Sequence, residues 1–136
     1  MKPFYIVTTR FTNATWEENE RWKKNHGWKG CVYGVPSLIS EFSKIPPRAV
    51  VYVVEMNNDT NKIMGIGAIC NRYRIDLRER IYNDYFYNRY IYRDRAHITR
   101  DKLYNLSPAY KKFVDYLVPT KKINFILKNS HFIAII

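Results

Sequence analysis

The sequence predicts an α+β domain in which two or three helices flank a small, curved β-sheet or barrel of about six strands. The first observation is an apolar, β-branched run at residues 48–56, followed by Asn- and Asp-rich turn chemistry and a returning run at residues 62–73. This order is typical of a β-hairpin. The second is a length of 136 residues with 46% hydrophobic content, the size and balance of one folded domain. We therefore expect a single domain over residues 1–136.

Short β-branched and aromatic segments predict the other strands. The first is residues 4–9, and residues 31–35 are expected to form a short strand or a turn. The run 48–56 is apolar on both faces, which places it at the centre of the sheet. The remaining strands are predicted at residues 85–95, 122–127 and 131–136.

Capping signals predict the first helix. Residues 13–24 are polar apart from two tryptophans, and Thr15 with Glu18 has the spacing of a capping box. The segment 26–30 contains two glycines and is expected to be a loop.

Proline positions predict two more helices. Pro36 suits the first helical position of a segment at residues 37–43. A third helix is predicted at residues 106–117, where Ser107 and a following proline precede apolar residues at helical spacing.

Two glycines mark the returning strand of the hairpin. Gly65 and Gly67 are two residues apart and so lie on one face. Without side chains there, another backbone or a flat ligand can approach closely, or the strand can curve tightly.

The charge of the chain predicts an anionic partner. Lys and Arg number 23 against 12 acidic residues, which gives a net charge of +11, and 16% of residues are aromatic. Aromatic rings stack on bases, so nucleic acid is favoured over an anionic membrane. The chain has no apolar run long enough to span a bilayer and no signal-peptide pattern, and two cysteines cannot form a disulfide framework.

These absences predict an intracellular protein with no membrane association. The abundance of Ile, Lys, Asn, Tyr and Phe, whose codons are largely A/T-rich, would suit a large DNA virus or an AT-rich microbe. A viral protein would work in the cytoplasm or nucleus of the host cell.

Arginine is the more informative residue, because its placement along the chain is not uniform. Of 11 arginines, 8 lie within residues 72–100, interleaved with tyrosine and phenylalanine, whereas residues 51–71 carry a net charge of −1. In an extended strand one face would present rings and guanidinium groups to a polynucleotide. The alternative is a tyrosine-rich core face with solvated arginines. The candidate binding residues in this stretch are Tyr85, Arg89 and Arg93.

Three tryptophans fall in a mostly polar stretch. Trp16, Trp22 and Trp28 must either pack against the core or bind something. We expect that two of them anchor this segment, or that at least one forms the wall of a pocket.

Catalytic motifs are absent from the sequence. Gly65 and Gly67 lie inside a strand, not in a phosphate-binding loop, and the three histidines are scattered. His97 lies near Asp94 and Asp101 in the sequence and is the candidate residue if the protein is an enzyme. We predict no catalytic residue, no metal site and no cofactor.

The order of motifs resembles that of EVE and YTH domains, which belong to the PUA-like superfamily of small β-barrels. The resemblance rests on the first strand, the Tyr33-Gly34-Val35-Pro36 segment and the central hairpin. It implies a non-enzymatic reader that takes one modified base into an aromatic pocket while a basic rim holds the backbone. Tyr33 is the position at which the family usually has a pocket-wall tryptophan.

The resemblance also assigns further site residues. The polar groups of Thr8, Thr9 and Arg10, which follow the first strand, would contact the edge of the base. Asn57 and Asn58 would lie near the pocket. The sequence thus predicts a nucleic-acid reader with RNA favoured over DNA. The alternatives are a sequence-neutral basic accessory protein and a small enzyme that acts on nucleic acid.

Overall fold

The computed structural model describes residues 5–106 and 133–134. Within them lie seven strands, three α-helices and one 3-10 turn at Tyr85–Asn88. The strands are β1 Tyr5–Thr8, β2 Cys31–Val35, β3 Val50–Asn57, β4 Lys62–Cys70, β5 Tyr90–Asp94, β6 Ala96–Thr99 and β7 Ile133–Ala134. The helices are α1 Asn13–Asn25, α2 Ile39–Phe42 and α3 Arg100–Leu106.

The strands form two sheets. The larger has the order β6-β4-β3-β1-β7, and the smaller is the antiparallel pair β2-β5. In the larger sheet β1 runs parallel to β3 and β7, whereas β3-β4 and β4-β6 are antiparallel. The predicted α+β class is therefore confirmed. The two sheets do not join into a closed barrel within residues 5–106 and 133–134.

The hairpin of β3 and β4 lies inside the larger sheet, with β6 on one side and β1 on the other. Strand β3 has partners on both sides, as predicted for a central strand. Its burial alternates: Val51 and Val53 are fully buried, but Val50 is 55% exposed. The β3 residues are apolar on both faces, but only one face is buried at the start of the strand.

Helix α1 matches the predicted helix, but its cap is one turn earlier than expected. The Thr12 hydroxyl accepts from the Thr15 amide at 3.1 Å, and the Thr15 hydroxyl accepts from the Thr12 amide at 2.9 Å. Thr12, not Thr15, is therefore the N-cap. Glu18 instead accepts a hydrogen bond from the Asn83 amide at 3.0 Å.

Several predicted elements are shorter than expected, and the returning strand of the hairpin ends at Cys70 and not at residue 73. Pro36 does not begin a helix, because the chain bends at residues 36 and 37, Leu38 is extended and α2 starts only at Ile39. The predicted strand at residues 85–95 begins at Tyr90, because residues 85–88 form the 3-10 turn.

The C-terminal predictions are mostly beyond the part that the structure describes. The helix at 106–117 lies outside it except for Leu106, which ends α3, a helix that was not predicted. The strand at 122–127 lies outside as well. Within the predicted strand 131–136, Ile133–Ala134 pairs with β1.

The main core lies between the two sheets and α1. Residues of both sheets contribute to this core. The smaller sheet is therefore attached to the larger one by burial of apolar side chains and not by backbone pairing. Its fully buried members include Val7, Phe11, Val32, Tyr33, Val51, Val53 and Ile91.

Candidate nucleic-acid interface

A basic cleft opens where β4 and β5 end and β2 begins. Its volume is about 760 Å³. We call it the tryptophan cleft, and it is lined by Trp28, Cys70, Arg72, Arg74, Ile75, Asp76, Arg93, Asp94 and Arg95. Four guanidinium groups face two carboxylates, so the lining is positively charged and suits an anionic ligand.

The end of α1 fixes the position of Trp28. Gly27 has φ 59° and follows the helix as its left-handed terminating residue. The Trp28 amide donates to the Lys23 carbonyl at 2.8 Å and the Gly27 amide to the Lys24 carbonyl at 3.3 Å, which is a Schellman motif. The indole Nε1 then donates to the Cys31 carbonyl at 3.0 Å. The ring is therefore held at both ends in the cleft wall.

Arg93 covers the face of this indole. Its guanidinium carbon lies 4.4 Å from the Trp28 ring centroid, a cation–π contact. The Arg93 Nε is buried and has no hydrogen-bond partner among the described residues. Arg93 also lines the tryptophan cleft, and arginine guanidinium planes stack on bases in many nucleic-acid complexes.

The remaining arginines of the tryptophan cleft differ in how they are paired. Arg74 binds both oxygens of Asp76, with Nε–Oδ1 at 3.0 Å and Nη2–Oδ2 at 2.7 Å. These hydrogen bonds from Arg74 lower the pKa of the exposed Asp76 carboxyl. Arg72 and Arg95 are exposed, and neither forms an ion pair with a described residue. Their charge is available to a phosphate group.

A second cleft of about 570 Å³ adjoins the first. The two share Arg74 and Ile75 in their linings. We call it the tyrosine cleft, and it is lined by Tyr73, Arg74, Ile75, Leu77, Arg78, Glu79, Arg80, Tyr85, Asn88 and Arg89. Seven of the eight arginines in residues 72–100 thus line these two clefts, and the eighth, Arg100, donates instead to the Ile63 carbonyl at 2.6 Å.

The predicted residues after the first strand lie at the opposite end of the hairpin. Thr8 and Thr9 are buried, and the Thr9 hydroxyl is bonded to the Met56 carbonyl and amide at 3.1 and 2.8 Å. Asn57 is buried too and closes the turn by accepting from two turn amides and donating to Asn13. Arg10 and Asn58 are exposed there. We call this region the turn end.

The turn end and the clefts are far apart. Seven residue steps of β3 separate Val50, which pairs with Cys70 in the tryptophan cleft, from Asn57. At about 3.3 Å per residue this is roughly 23 Å. The structure does not bring the residues of the turn end together with Trp28 and Arg93.

The Tyr33–Pro36 segment is packed inside the protein. Tyr33 is fully buried and its hydroxyl donates to Glu55 Oε2 at 2.6 Å. A side chain at Gly34 would overlap the Tyr87 carbonyl, so this glycine allows close packing of β2 on the 3-10 turn. Val35 is buried and Pro36 is half-buried. In this structure the Tyr33 ring is a core side chain.

A buried polar cluster packs against the face of β4 that carries Gly65 and Gly67. Glu55 Oε1 lies 2.8 Å from His97 Nε2, and both side chains are only 4% exposed. A side chain at Gly65 would overlap Glu55, and one at Gly67 would overlap the Tyr33 hydroxyl. The protein's own polar groups therefore occupy the space that the two glycines open. His97 is paired with Glu55 and not with Asp94 or Asp101, and the sequence did not reveal this contact.

The two cysteines have different environments. Burial raises the pKa of Cys31 to about 11, and the charge of Glu55 acts in the same direction. Its thiol therefore stays protonated near neutral pH and is a poor nucleophile. Burial and Glu55 also raise the pKa of Tyr33 well above its ordinary value. Cys70 is partly exposed and lines the tryptophan cleft.

The other two tryptophans pack within the fold. Trp16 meets the edge of Phe11 at 5.2 Å between ring centroids. Trp22 is 5% exposed and stacks on His26 at 4.2 Å. Of the three tryptophans, two thus anchor the segment and Trp28 lines a cleft.

Comparisons with known protein families, with curated proteins and with solved structures returned no match to this chain. In the described ranges, no helix has the length and apolar character needed to cross a membrane. The same residues contain no group of three or more His, Cys, Asp or Glu side chains placed to hold a metal ion.

Proposed function

We propose that this protein is a non-enzymatic nucleic-acid-binding domain, with RNA favoured over DNA, and that it binds in the tryptophan cleft. The observation that carries the proposal is the layer of Arg93 on Trp28 beside two exposed arginines that form no ion pair with a described residue. A base stacks on the guanidinium face of this layer, and Arg72 with Arg95 contacts phosphate groups. Stacking of this kind contributes about 1–3 kcal/mol per base.

This proposal keeps the reader function that the PUA-like resemblance implies but places the base elsewhere. The resemblance points to Tyr33, which is buried on Glu55. Opening a pocket at Tyr33 would leave the Glu55 carboxylate without that partner, at a cost of about 1–3 kcal/mol. Trp28 is already at a surface cleft, so it supports the same chemistry without rearrangement.

A sequence-neutral basic accessory protein is the second candidate. The observation that favours it is the spread of seven arginines over two adjoining clefts, which fits a backbone-tracking surface. The two functions differ in base dependence. A reader prefers one base or modification, whereas a neutral binder shows a steep salt dependence with equal affinity for all bases.

The test is a binding titration with fluorescent RNA and DNA oligonucleotides of matched sequence. The Arg72→Glu/Arg95→Glu double variant should lose about 100-fold in affinity, and the salt slope should fall by about 1.4, the value for two contacts to a single strand. The matched control is Lys62→Glu/Lys102→Glu, which changes the net charge equally at two exposed positions outside both clefts.

The outcomes distinguish binding in the tryptophan cleft from binding that depends only on the net charge of the protein. Equal losses in the two double variants would show that net charge, not the tryptophan cleft, governs binding. Absence of measurable binding by the unaltered protein to RNA and DNA would overturn the proposed function itself.

A further inference from the structure

Two neighbouring aromatic rings are exposed beside the tyrosine cleft. Tyr85 is 81% exposed and Phe86 is 58% exposed, although the core buries Tyr33, Tyr82 and Tyr92 almost completely. Exposure of one large apolar side chain is ordinary, but an adjacent pair at the mouth of a cleft is typical of a binding surface.

The backbone that presents these rings is fixed by side-chain hydrogen bonds. Asp84 Oδ1 accepts from the Phe86 amide at 3.0 Å. Asn88 Oδ1 accepts from the amides of Ile81 and Tyr82 at 3.0 and 2.9 Å, and its Nδ2 donates to the Tyr82 carbonyl at 2.7 Å. The 3-10 turn is therefore ordered before any ligand arrives, which lowers the entropy cost of binding.

A cation accompanies the two rings. The guanidinium carbon of Arg89 lies 5.6 Å from the Phe86 ring centroid and 5.5 Å from that of Tyr90. Both Arg89 and Tyr85 line the tyrosine cleft. Rings for stacking next to a cation for phosphate are the two components that proteins use to hold unpaired nucleotides.

The two clefts adjoin, because Arg74 and Ile75 line both of them. Each has its own stacking surface: Arg93 on Trp28 in the first, and the Tyr85–Phe86 pair beside the second. Bases inside a duplex are stacked on each other and cannot use such surfaces, whereas splayed bases of a single strand can.

We infer that the ligand is a single-stranded nucleic acid that runs through both clefts and stacks one base on the Trp28–Arg93 layer and another on the Tyr85–Phe86 pair. This inference rests on the proposed function and specifies its ligand. It predicts that affinity depends on the rings at positions 85 and 86 only when the ligand is single-stranded and long enough to reach them.

The experiment compares an oligouridine of about nine nucleotides, within the site sizes of single-strand-binding folds, with an RNA duplex of the same length. The variants are Tyr85→Ala/Phe86→Ala and Tyr85→Phe/Phe86→Tyr, the second of which keeps both rings. The first should weaken oligouridine binding about 10-fold, as expected for the loss of one stacked base. The second should bind like the unaltered protein, and neither should change duplex affinity.

Each contrary outcome has a distinct meaning. If the double alanine variant binds oligouridine normally while Arg72→Glu/Arg95→Glu does not, the second stacking surface is wrong and the proposed function survives. If the duplex binds as tightly as the single strand, the single-strand inference fails. If the alanine pair alters self-association in sedimentation but not RNA affinity, the rings are a protein-docking surface and the inference is overturned.

Discussion

The polar side chains at the two ends of the β3-β4 hairpin have opposite environments: those at one end are buried and hydrogen-bonded, and those at the other are exposed. At the turn end, Thr9 and Asn57 are buried and bonded to neighbouring backbone or side chains. At the other end, Arg72 and Arg95 stand exposed without ion pairs to described residues. Polar groups that are satisfied internally stabilise the fold and have little left for a ligand. The polar groups of the turn end therefore contribute to stability, whereas the exposed arginines of the clefts are the groups that we propose for recognition.

The largest expected effect is on stability, at the buried cluster between the two ends. Glu55→Ala removes the partner of both Tyr33 and His97, and should lower the free energy of unfolding by about 3–5 kcal/mol. Urea unfolding followed by circular dichroism measures this loss. Glu55→Gln keeps a hydrogen-bonding group and should lose less. An equal and small loss in both variants would mean that the cluster behaves like a surface ion pair.

Alkaline pH should destabilise the protein through its buried thiol and phenol groups. The folded-state pKa of Cys31 is about 11, above its unfolded value of 9.0. Its stabilising contribution is therefore complete below pH 9 and is lost as the pH rises from 9 to about 11. The loss should reach about 2 kcal/mol at the top of this range. Tyr33 adds to the loss above pH 10.

Unfolding midpoints between neutral and alkaline pH measure this effect. The control is Cys31→Ala, which removes the thiol and should flatten the part of the pH profile that Cys31 causes. A profile that is the same with and without Cys31 would contradict the assignment.

A smaller effect is expected at the turn end. Asn57→Ala leaves the amides of Asp59 and Thr60 without their acceptor and should cost about 1–3 kcal/mol of stability. Its affinity for RNA should match that of the unaltered protein at a temperature where both are folded. A large loss of affinity without loss of stability would place the binding site at the turn end and would support the role near the base that the resemblance implies for Asn57 and Asn58.

Local signals made part of the fold predictable. The first strand, α1 and the hairpin follow from β-branched runs, a polar segment of helical length and Asn-rich turn chemistry. The end of α1 just before Trp28 was open to prediction as well, since His26-Gly27 after a helix is a C-cap signal.

The features that the sequence did not predict depend on contacts between residues far apart in the chain. Glu55 meets His97 across 42 residues, and Asn88 reshapes a predicted strand by binding the amides of Ile81 and Tyr82. Burial of Tyr33 depends in the same way on Glu55, 22 residues further along the chain. No local pattern encodes such contacts. For the candidate site, the sequence indicated the arginine-rich stretch, but only the fold separated it from the turn end.

The most direct test of the tryptophan cleft is alkylation of Cys70 with and without bound RNA. At about pH 8 iodoacetamide should modify Cys70 readily, because it is partly exposed, and Cys31 slowly, because it is buried and its pKa is raised to about 11. Saturation with single-stranded RNA should slow modification of Cys70 several-fold, as read by peptide mass spectrometry, and high salt should restore the rate. An unchanged Cys70 rate under saturating RNA would show that the nucleic acid binds elsewhere.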